Sequence, residues 1–342
     1  MAIISPRIIQ LIAQAKKDVV THLSILSLAC IVSCSKAPPT EVLHQIHTDN
    51  GAYASALSQA GLYAAVSTQN GVLFWDTEKN LTKYVWNHKF KQNSQIHLVE
   101  ISHDSQAVLT ADRQNFAIWN INTGANKGFY SIDESSITSA KISNQGRFVA
   151  LGLLNGKVIH INVETGRRIE FLGHTDRITQ IAMSANGAYV LSGGYEGMAY
   201  LWNSKTGQVR NKFTHTGRIS QVALDNQARY AFTANSMNQS WLWDLTTGKK
   251  ITELNYPVRQ QIFSSVVFSN NGEWLATGAP NQKVKLWSVK SGELLAEWPF
   301  EADSSTASVL DFAFSLDDNF LSAETSFGIL QKWQIQGYLA KP

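Results

Sequence analysis

Histidine and acidic side chains are the residues of this chain that could bind a metal ion or transfer protons. A metal site needs ligands that are clustered at a characteristic spacing. His44 and His47 are close in sequence, but three residues apart on a strand they would point to opposite faces. The sequence therefore predicts no metal site and no cofactor, and the histidines are expected in structural or surface positions: His44, His47, His88, His97, His103, His160, His174 and His215.

Acidic residues gather in two short segments, 110–115 (TADRQN) and 315–319 (SLDDN). Both segments are rich in turn-forming residues, and turn formation explains them without a bound cation. The chain contains no nucleophile-elbow pattern, no phosphate-binding glycine-rich loop and no metal-protease helix motif. We therefore expect no catalytic residues.

A repeat of 41–46 residues runs through most of the chain and must position these side chains. Each repeat ends in a short apolar strand, an anchor residue and a polar residue. A glycine follows five residues after most anchors, or Asn80 after the first, which suits a left-handed turn position. A period of about 40–45 residues is typical of a four-stranded propeller blade. The seven anchors are Trp75, Trp119, Ile161, Trp202, Trp243, Trp287 and Trp333.

Upstream of the anchors, strand–turn–strand patterns repeat. Apolar and polar residues alternate over 178–184 (ITQIAMS) and again over 188–194 (AYVLSGG), with Asn186-Gly187 between them. No stretch of ten or more residues after the N-terminal segment has a convincing helical period. The sequence therefore predicts an all-β fold.

The repeats resemble those of the WD-repeat β-propellers, most clearly over 173–207 (GHTDRITQIAMSANGAYVLSGGYEGMAYLWNSKTG). In that family a His, a Ser or Thr, an acid and the Trp form a hydrogen-bonded network within one blade. In the fifth repeat Met237 replaces the acid, and we expect that no repeat has the full network. By resemblance, the network positions are held by His174, Ser192, Glu196 and Trp202 in the fourth repeat, by His215, Thr233 and Trp243 in the fifth, and by Thr277 and Trp287 in the sixth.

The resemblance implies a seven-bladed β-propeller over residues 41–342. We expect Val42–Ile46 to pair with the strand that ends at Trp333, so that an N-terminal strand completes the last blade. This pairing removes an exposed sheet edge. The alternative is that residues 337–342 form the outer strand alone, although Pro342 and the shortness of this segment argue against it.

The first forty residues do not fit the repeat. Lys16 and Lys17 precede an apolar run over 19–33, which is shorter than the roughly 20 residues of a membrane span but typical of a secretory signal. The run ends in IVSC, residues 31–34, which resembles the lipobox of bacterial lipoproteins. The resemblance implies a signal peptide over 1–33, a lipidated Cys34 and a tether over 34–40. The alternatives are a signal without lipid, an uncleaved anchor, and a cytosolic protein whose start is misassigned.

Cysteine content and charge agree with a lipid-anchored, exported propeller. The two cysteines, Cys30 and Cys34, both lie in the N-terminal segment, so the repeats contain neither a free thiol nor a disulfide. Removing residues 1–33 leaves 26 basic and 25 acidic residues of the original 29 and 26, which does not indicate a nucleic-acid partner. Ser35 resembles the outer-membrane sorting pattern of enteric bacteria. The prediction is a monomeric propeller on the outer membrane, facing the periplasm.

In the WD-repeat family, the loops that lead into the innermost strands surround one mouth of the channel, where partners often dock. Arg177 and Arg218 hold this position in adjacent repeats, and Arg259 lies just upstream of it in the next. Three arginines on one sector would bind a carboxylate-rich peptide. The predicted function is a non-enzymatic scaffold for other envelope proteins. The alternative is a small-molecule or saccharide-binding propeller with its site in the channel mouth.

Overall fold

The computed structural model describes residues 37–88, 95–254, 262–301 and 307–338. The predicted signal peptide and Cys34 lie outside these residues. Residues 38–342 form one compact unit, and the described part of it contains 28 strands and two 3₁₀ helices, Gln59–Gly61 and Gln336–Tyr338. In chain order the strands are β1 (Thr40–Ile46), β2 (Ala54–Leu57), β3 (Tyr63–Thr68), β4 (Gly71–Asp76), β5 (Leu81–Trp86), β6 (Leu98–Ile101), β7 (Ala107–Ala111), β8 (Asn115–Asn120), β9 (Asn126–Ser131), β10 (Ile137–Ser143), β11 (Phe148–Leu153), β12 (Val158–Asn162), β13 (Arg168–Phe171), β14 (Ile178–Met183), β15 (Tyr189–Gly194), β16 (Met198–Asn203), β17 (Val209–Thr214), β18 (Ile219–Leu224), β19 (Tyr230–Asn235), β20 (Ser240–Asp244), β21 (Lys249–Glu253), β22 (Ser265–Phe268), β23 (Trp274–Ala279), β24 (Lys283–Ser288), β25 (Leu294–Pro299), β26 (Val309–Phe314), β27 (Phe320–Thr325) and β28 (Ile329–Gln334).

The strands form seven four-stranded antiparallel sheets, which are the blades of a ring. Six blades are consecutive meanders that begin at β2, β6, β10, β14, β18 and β22, and the seventh has the order β26-β27-β28-β1. The first strands of the blades contact one another in a closed circle, because β26 also contacts β2. The predicted all-β, seven-bladed propeller is confirmed. We call the end of the ring at which these innermost strands begin the upper face, and the other end the lower face.

The N-terminal strand closes the ring, as predicted. β1 pairs antiparallel with β28, with Ile46 opposite Ile329 and His44 opposite Gln331. A β-bulge between Glu41 and Leu43 shifts the register of this pairing. Because β1 occupies the outer edge of β28, the alternative closure by residues 337–342 is wrong.

The turn after each of the first six anchors has the expected left-handed position. Gly207, for example, has a φ of +73° and donates its N–H to the carbonyl of Asn203 at 2.8 Å. The Asn203 side chain also accepts hydrogen bonds from the backbone N–H groups of Lys205 and Thr206, at 2.9 and 3.2 Å. The polar residue after the anchor therefore builds the turn to the outer strand.

Apolar side chains fill the spaces between neighbouring blades. In one cluster Val158 and Phe171 of the third blade pack with Ile181 and Trp202 of the fourth. The rings of Phe171 and Trp202 are stacked with centroids 5.1 Å apart. Each such buried side chain contributes about 1.5–3 kcal/mol. These contacts fix the angle between blades and hence the positions of the upper-face loops. None of the helices in the described ranges has the length and hydropathy that crossing a bilayer requires.

Candidate functional site

Two arginines flank one tyrosine on the upper face. Arg177 immediately precedes β14 and Arg218 immediately precedes β18, so the two belong to the fourth and fifth blades. Their guanidinium carbons lie 4.1 and 5.3 Å from the centroid of the Tyr195 ring. Arg218 Nη1 also donates a hydrogen bond to the Tyr195 hydroxyl at 2.9 Å, and this bond lowers the pKa of Tyr195. The structure thus brings the two predicted arginines together around a third residue.

Sequence analysis missed Tyr195. It lies in the turn between β15 and β16, which opens on the upper face. The repeat places this turn beside the loop that carries Arg177. An aromatic residue in the turn could therefore have been recognised as a neighbour of the arginine. The third predicted arginine, Arg259, lies outside the described residues.

Neither guanidinium of the pair is neutralised by a carboxylate in the part of the chain that the structure describes. The arginine–carboxylate pairs found there involve Arg147, Arg168 and Arg229 instead. Arg177 and Arg218 are held mainly by the tyrosine ring, a cation–π contact that leaves most of their N–H groups free to donate. The pair can therefore accept a carboxylate without first breaking an ion pair.

A shallow depression of about 420 Å³ surrounds this cluster. Its lining adds three hydroxyl side chains, Thr138, Thr179 and Ser220, and the apolar side chain of Leu154, which is 49% exposed. Two further upper-face loops expose Met237 and Ile262 by 56% and 63%. This face therefore offers positive charge beside apolar surface, a combination suited to an acidic segment with apolar side chains.

Three charged residues lie deeper, on innermost strands that line a cavity of about 270 Å³ in the channel. Lys141 Nζ lies 2.5 Å from Glu100 Oε1, and Asp311 accepts a hydrogen bond from the Leu57 N–H at 2.8 Å. Burial, with the nearby charge of Glu100, raises the pKa of Asp311 to about 7. The alternative function, binding of a small molecule or saccharide, would place a site in the channel mouth. Glu100, Lys141 and Asp311 lie deeper in the channel than that mouth.

The second blade contains a complete network of His, Thr, acid and Trp. His88 lies 2.9 Å from Thr110 through Nε2 and 3.3 Å from Asp112 through Nδ1, and Trp119 Nε1 donates to Thr110 at 2.8 Å. Burial lowers the pKa of His88, although Asp112 opposes the shift. The prediction that no repeat has the full network is wrong. In the fourth and fifth repeats the His lies 28 residues, and the Ser or Thr ten residues, before the Trp. His88 lies 31 residues and Thr110 nine residues before Trp119, so a search at the common spacing missed them.

In the fourth blade the four residues assigned by resemblance form only part of a network. His174 lies 2.8 Å from Ser192 through Nε2 and 2.5 Å from Glu196 through Nδ1. Trp202 Nε1 is buried and has no hydrogen-bond partner in the described structure. Trp202 is therefore held by packing, notably against Phe171.

The fifth and sixth blades have shorter networks. Thr233 receives a hydrogen bond from Trp243 Nε1 at 2.8 Å and lies 2.8 Å from His215 Nε2. Burial lowers the pKa of His215 to about 4. In the sixth blade Trp287 Nε1 donates to Thr277 at 3.0 Å. These hydrogen bonds lie within single blades and the connections that lead into them.

A sequence profile described as "WD domain, G-beta repeat" matches residues 166–203 and 250–288. The first match runs from the turn before β13 to the end of β16, and the second from β21 to the end of β24. Both therefore join the outer strand of one blade to the first three strands of the next. No curated protein gives a significant sequence match to the chain. WD-repeat propellers are typically non-enzymatic and generally bind other proteins. With two matching repeats inside a ring of seven blades of the same design, the chain belongs to the WD-repeat β-propeller family.

Proposed function

We propose that this propeller is a lipid-tethered docking platform that binds other proteins of the bacterial cell envelope through its upper face. The observation that supports docking is the cluster of Arg177, Tyr195 and Arg218, in which two guanidinium groups lack a carboxylate partner among the described residues. Charged groups that are held in place and left unpaired are suited to an incoming ligand rather than to stabilising their own fold.

The partner surface is an acidic segment with apolar side chains beside its carboxylates. A carboxylate between the arginines would form charge-assisted hydrogen bonds, which are about twice as strong as neutral ones. The Tyr195 ring restricts both arginines, so less side-chain entropy is lost on binding. Leu154 and Ile262 would supply apolar contact area around the charges.

The lipid tether is supported by the sequence of the N-terminal segment. The apolar run over 19–33 ends in a lipobox-like IVSC, and Cys34 is the residue that would be lipidated. Residues 34–40 would then link the anchor to β1 and confine the propeller to the periplasmic side of the outer membrane. One monomeric ring presents the whole upper face, so docking needs no oligomer.

The docking proposal is tested by reversing the charge of the two arginines. The Arg177→Glu/Arg218→Glu variant and the native chain are tagged, purified from native membranes in mild detergent, and their co-purifying proteins identified. We expect a partner that is lost from the variant and retained by Arg167→Glu, which reverses the charge of one exposed arginine on the lower face. Retention of every partner by the double variant, with an unchanged circular dichroism spectrum, would refute docking at this cluster.

The tether is tested separately by metabolic labelling with a palmitate analogue. We expect labelling and membrane association to be lost in Cys34→Ala and kept in Cys30→Ala. Labelling that persists in Cys34→Ala, or an unlabelled native chain, would contradict the lipoprotein assignment and leave the docking experiment unaffected.

A further inference from the structure

A histidine and two glutamates meet at the seam where the ring closes. Glu41 and His44 lie on β1, and Glu301 lies two residues beyond the end of β25 in the sixth blade. His44 Nδ1 is 3.1 Å from Glu41 Oε1 and 3.6 Å from Glu301 Oε2. The side chains of His44, Glu41 and Glu301 are 34%, 36% and 69% exposed, so an ion from solvent can reach them.

The β-bulge in β1 creates this arrangement. In a regular strand Glu41 and His44 would point to opposite faces, because they are an odd number of residues apart. The bulge between Glu41 and Leu43 adds one residue to β1 and places both side chains on the same face. Bulges of this kind re-aim side chains, and here the result is an imidazole beside a carboxylate.

A buried glutamine fixes the two carboxylate-bearing segments. Gln331, opposite His44 on β28, is 1% exposed. Its Nε2 donates to Glu41 Oε2 at 3.0 Å, and its Oε1 accepts the backbone N–H of Glu301 at 2.8 Å. Such outer contacts orient metal ligands before an ion binds.

The distances from His44 to the two glutamates fit a tetrahedral ion. Bonds of about 2.0–2.1 Å to nitrogen and oxygen imply ligand atoms about 3.3–3.4 Å apart around zinc. The two measured separations, 3.1 and 3.6 Å, lie on either side of this value. Three protein ligands leave the fourth position to water. Calcium fits less well, because it takes about 6–8 oxygen ligands and no imidazole.

We propose that Glu41, His44 and Glu301 bind a zinc-type divalent transition-metal ion that joins the closing strand to the sixth blade. The ion would bridge β1 and the connection that leaves β25, and it would resist separation of the N-terminal strand from the ring. This inference is independent of the docking function.

The test is calorimetric titration of the full chain with zinc chloride. Cys30→Ser and Cys34→Ser are introduced in every sample, because free thiols would bind zinc themselves. We expect one saturable zinc per chain, at least about tenfold weaker binding in His44→Ala and in Glu301→Gln, and no change in the control His97→Ala. His97 is a suitable control because its Nδ1 faces the backbone carbonyl of Gln95 rather than a carboxylate.

Thermal unfolding gives a second readout. Zinc should raise the melting temperature of the native site and leave that of His44→Ala unchanged, because an ion that binds only the folded state stabilises it. Equal zinc binding by the native chain and His44→Ala, or no saturable binding to the native chain, would overturn the proposal and leave an ordinary surface contact between histidine and glutamate. Glu301→Gln keeps the size of the side chain, so it separates ligand loss from misfolding.

Discussion

His47 Nδ1 lies 2.9 Å from Glu324 Oε2, and both side chains are fully buried. His47 follows the closing strand and stacks on Trp75 of the first blade with ring centroids 4.6 Å apart, whereas Glu324 belongs to β27 of the seventh blade. His47 therefore contacts both of the blades that meet at the closure. His47 lies 28 residues before Trp75, at the spacing of His174 and His215 before their tryptophans, but its polar partner comes from the last repeat.

We expect Glu324→Ala to lower the free energy of unfolding by about 1–3 kcal/mol, because it leaves the buried Nδ1 of His47 without its polar neighbour. Urea unfolding followed by tryptophan fluorescence measures the change. The control is Glu164→Ala, whose exposed pair with Arg147 should contribute at most about 1 kcal/mol. Equal effects of the two substitutions would mean that the contact between His47 and Glu324 does not stabilise the closed ring.

The hydroxyl group of Thr110 contacts both His88 and Trp119 in the second blade. We expect Thr110→Val to lower the free energy of unfolding by roughly 2 kcal/mol. Valine keeps the shape of threonine but removes the hydroxyl group that Trp119 Nε1 and His88 Nε2 contact. Thr82→Val on the exposed outer strand β5 should change stability by less than about 0.5 kcal/mol. Differential scanning calorimetry of both variants tests whether the complete network stabilises its blade.

Asp311 should make the fold less stable as the pH rises from about 4 to about 7. Its pKa is raised from 3.8 to about 7 in the folded chain, so between these values the folded state keeps a proton that the unfolded state has released. Asp311→Asn removes this contribution and retains an acceptor for the Leu57 N–H. Unfolding free energies at pH 4.5 and 7.5 should show native stability falling relative to the variant, and a constant difference would rule the effect out.

His160 should have the opposite effect on the acid side. Burial lowers its pKa from 6.5 to about 4, so the unfolded chain binds a proton that the folded chain does not as the pH falls through this range. The contribution of His160 to stability is therefore complete above pH 6.5 and lost towards pH 4. Comparing His160→Leu with the native chain by chemical unfolding at pH 4.5 and 7 should show a flatter profile for the variant.

The repeat predicted the blades and their closure because hydrophobic periodicity and turn residues are local signals. The seven anchors, the left-handed turn glycines and the pairing of Val42–Ile46 with the last strand all follow from one register. The neighbouring positions of Arg177 and Arg218 follow from it too, because equivalent residues of adjacent repeats lie side by side in a ring. These features need no knowledge of individual side-chain contacts.

Features that depend on insertions could not be predicted in this way. The network of the second blade was missed because His88 lies farther from Trp119, and Thr110 closer to it, than the equivalent residues lie from the tryptophans of the other repeats. The meeting of Glu41 and His44 depends on a bulge, which reverses the expected faces of the strand. Glu301 joins them only through the folded path of the chain.

Closure by the first strand also has a consequence for biosynthesis. Glu41 on β1 is bonded to a residue 290 positions later in the chain, so β1 has no partner until the ribosome has made almost the whole protein. Six blades can pair as they emerge, because each is a local meander. The seventh must wait with its first-made strand unpaired, and this interval is when an unprotected edge is most open to aggregation or to a chaperone.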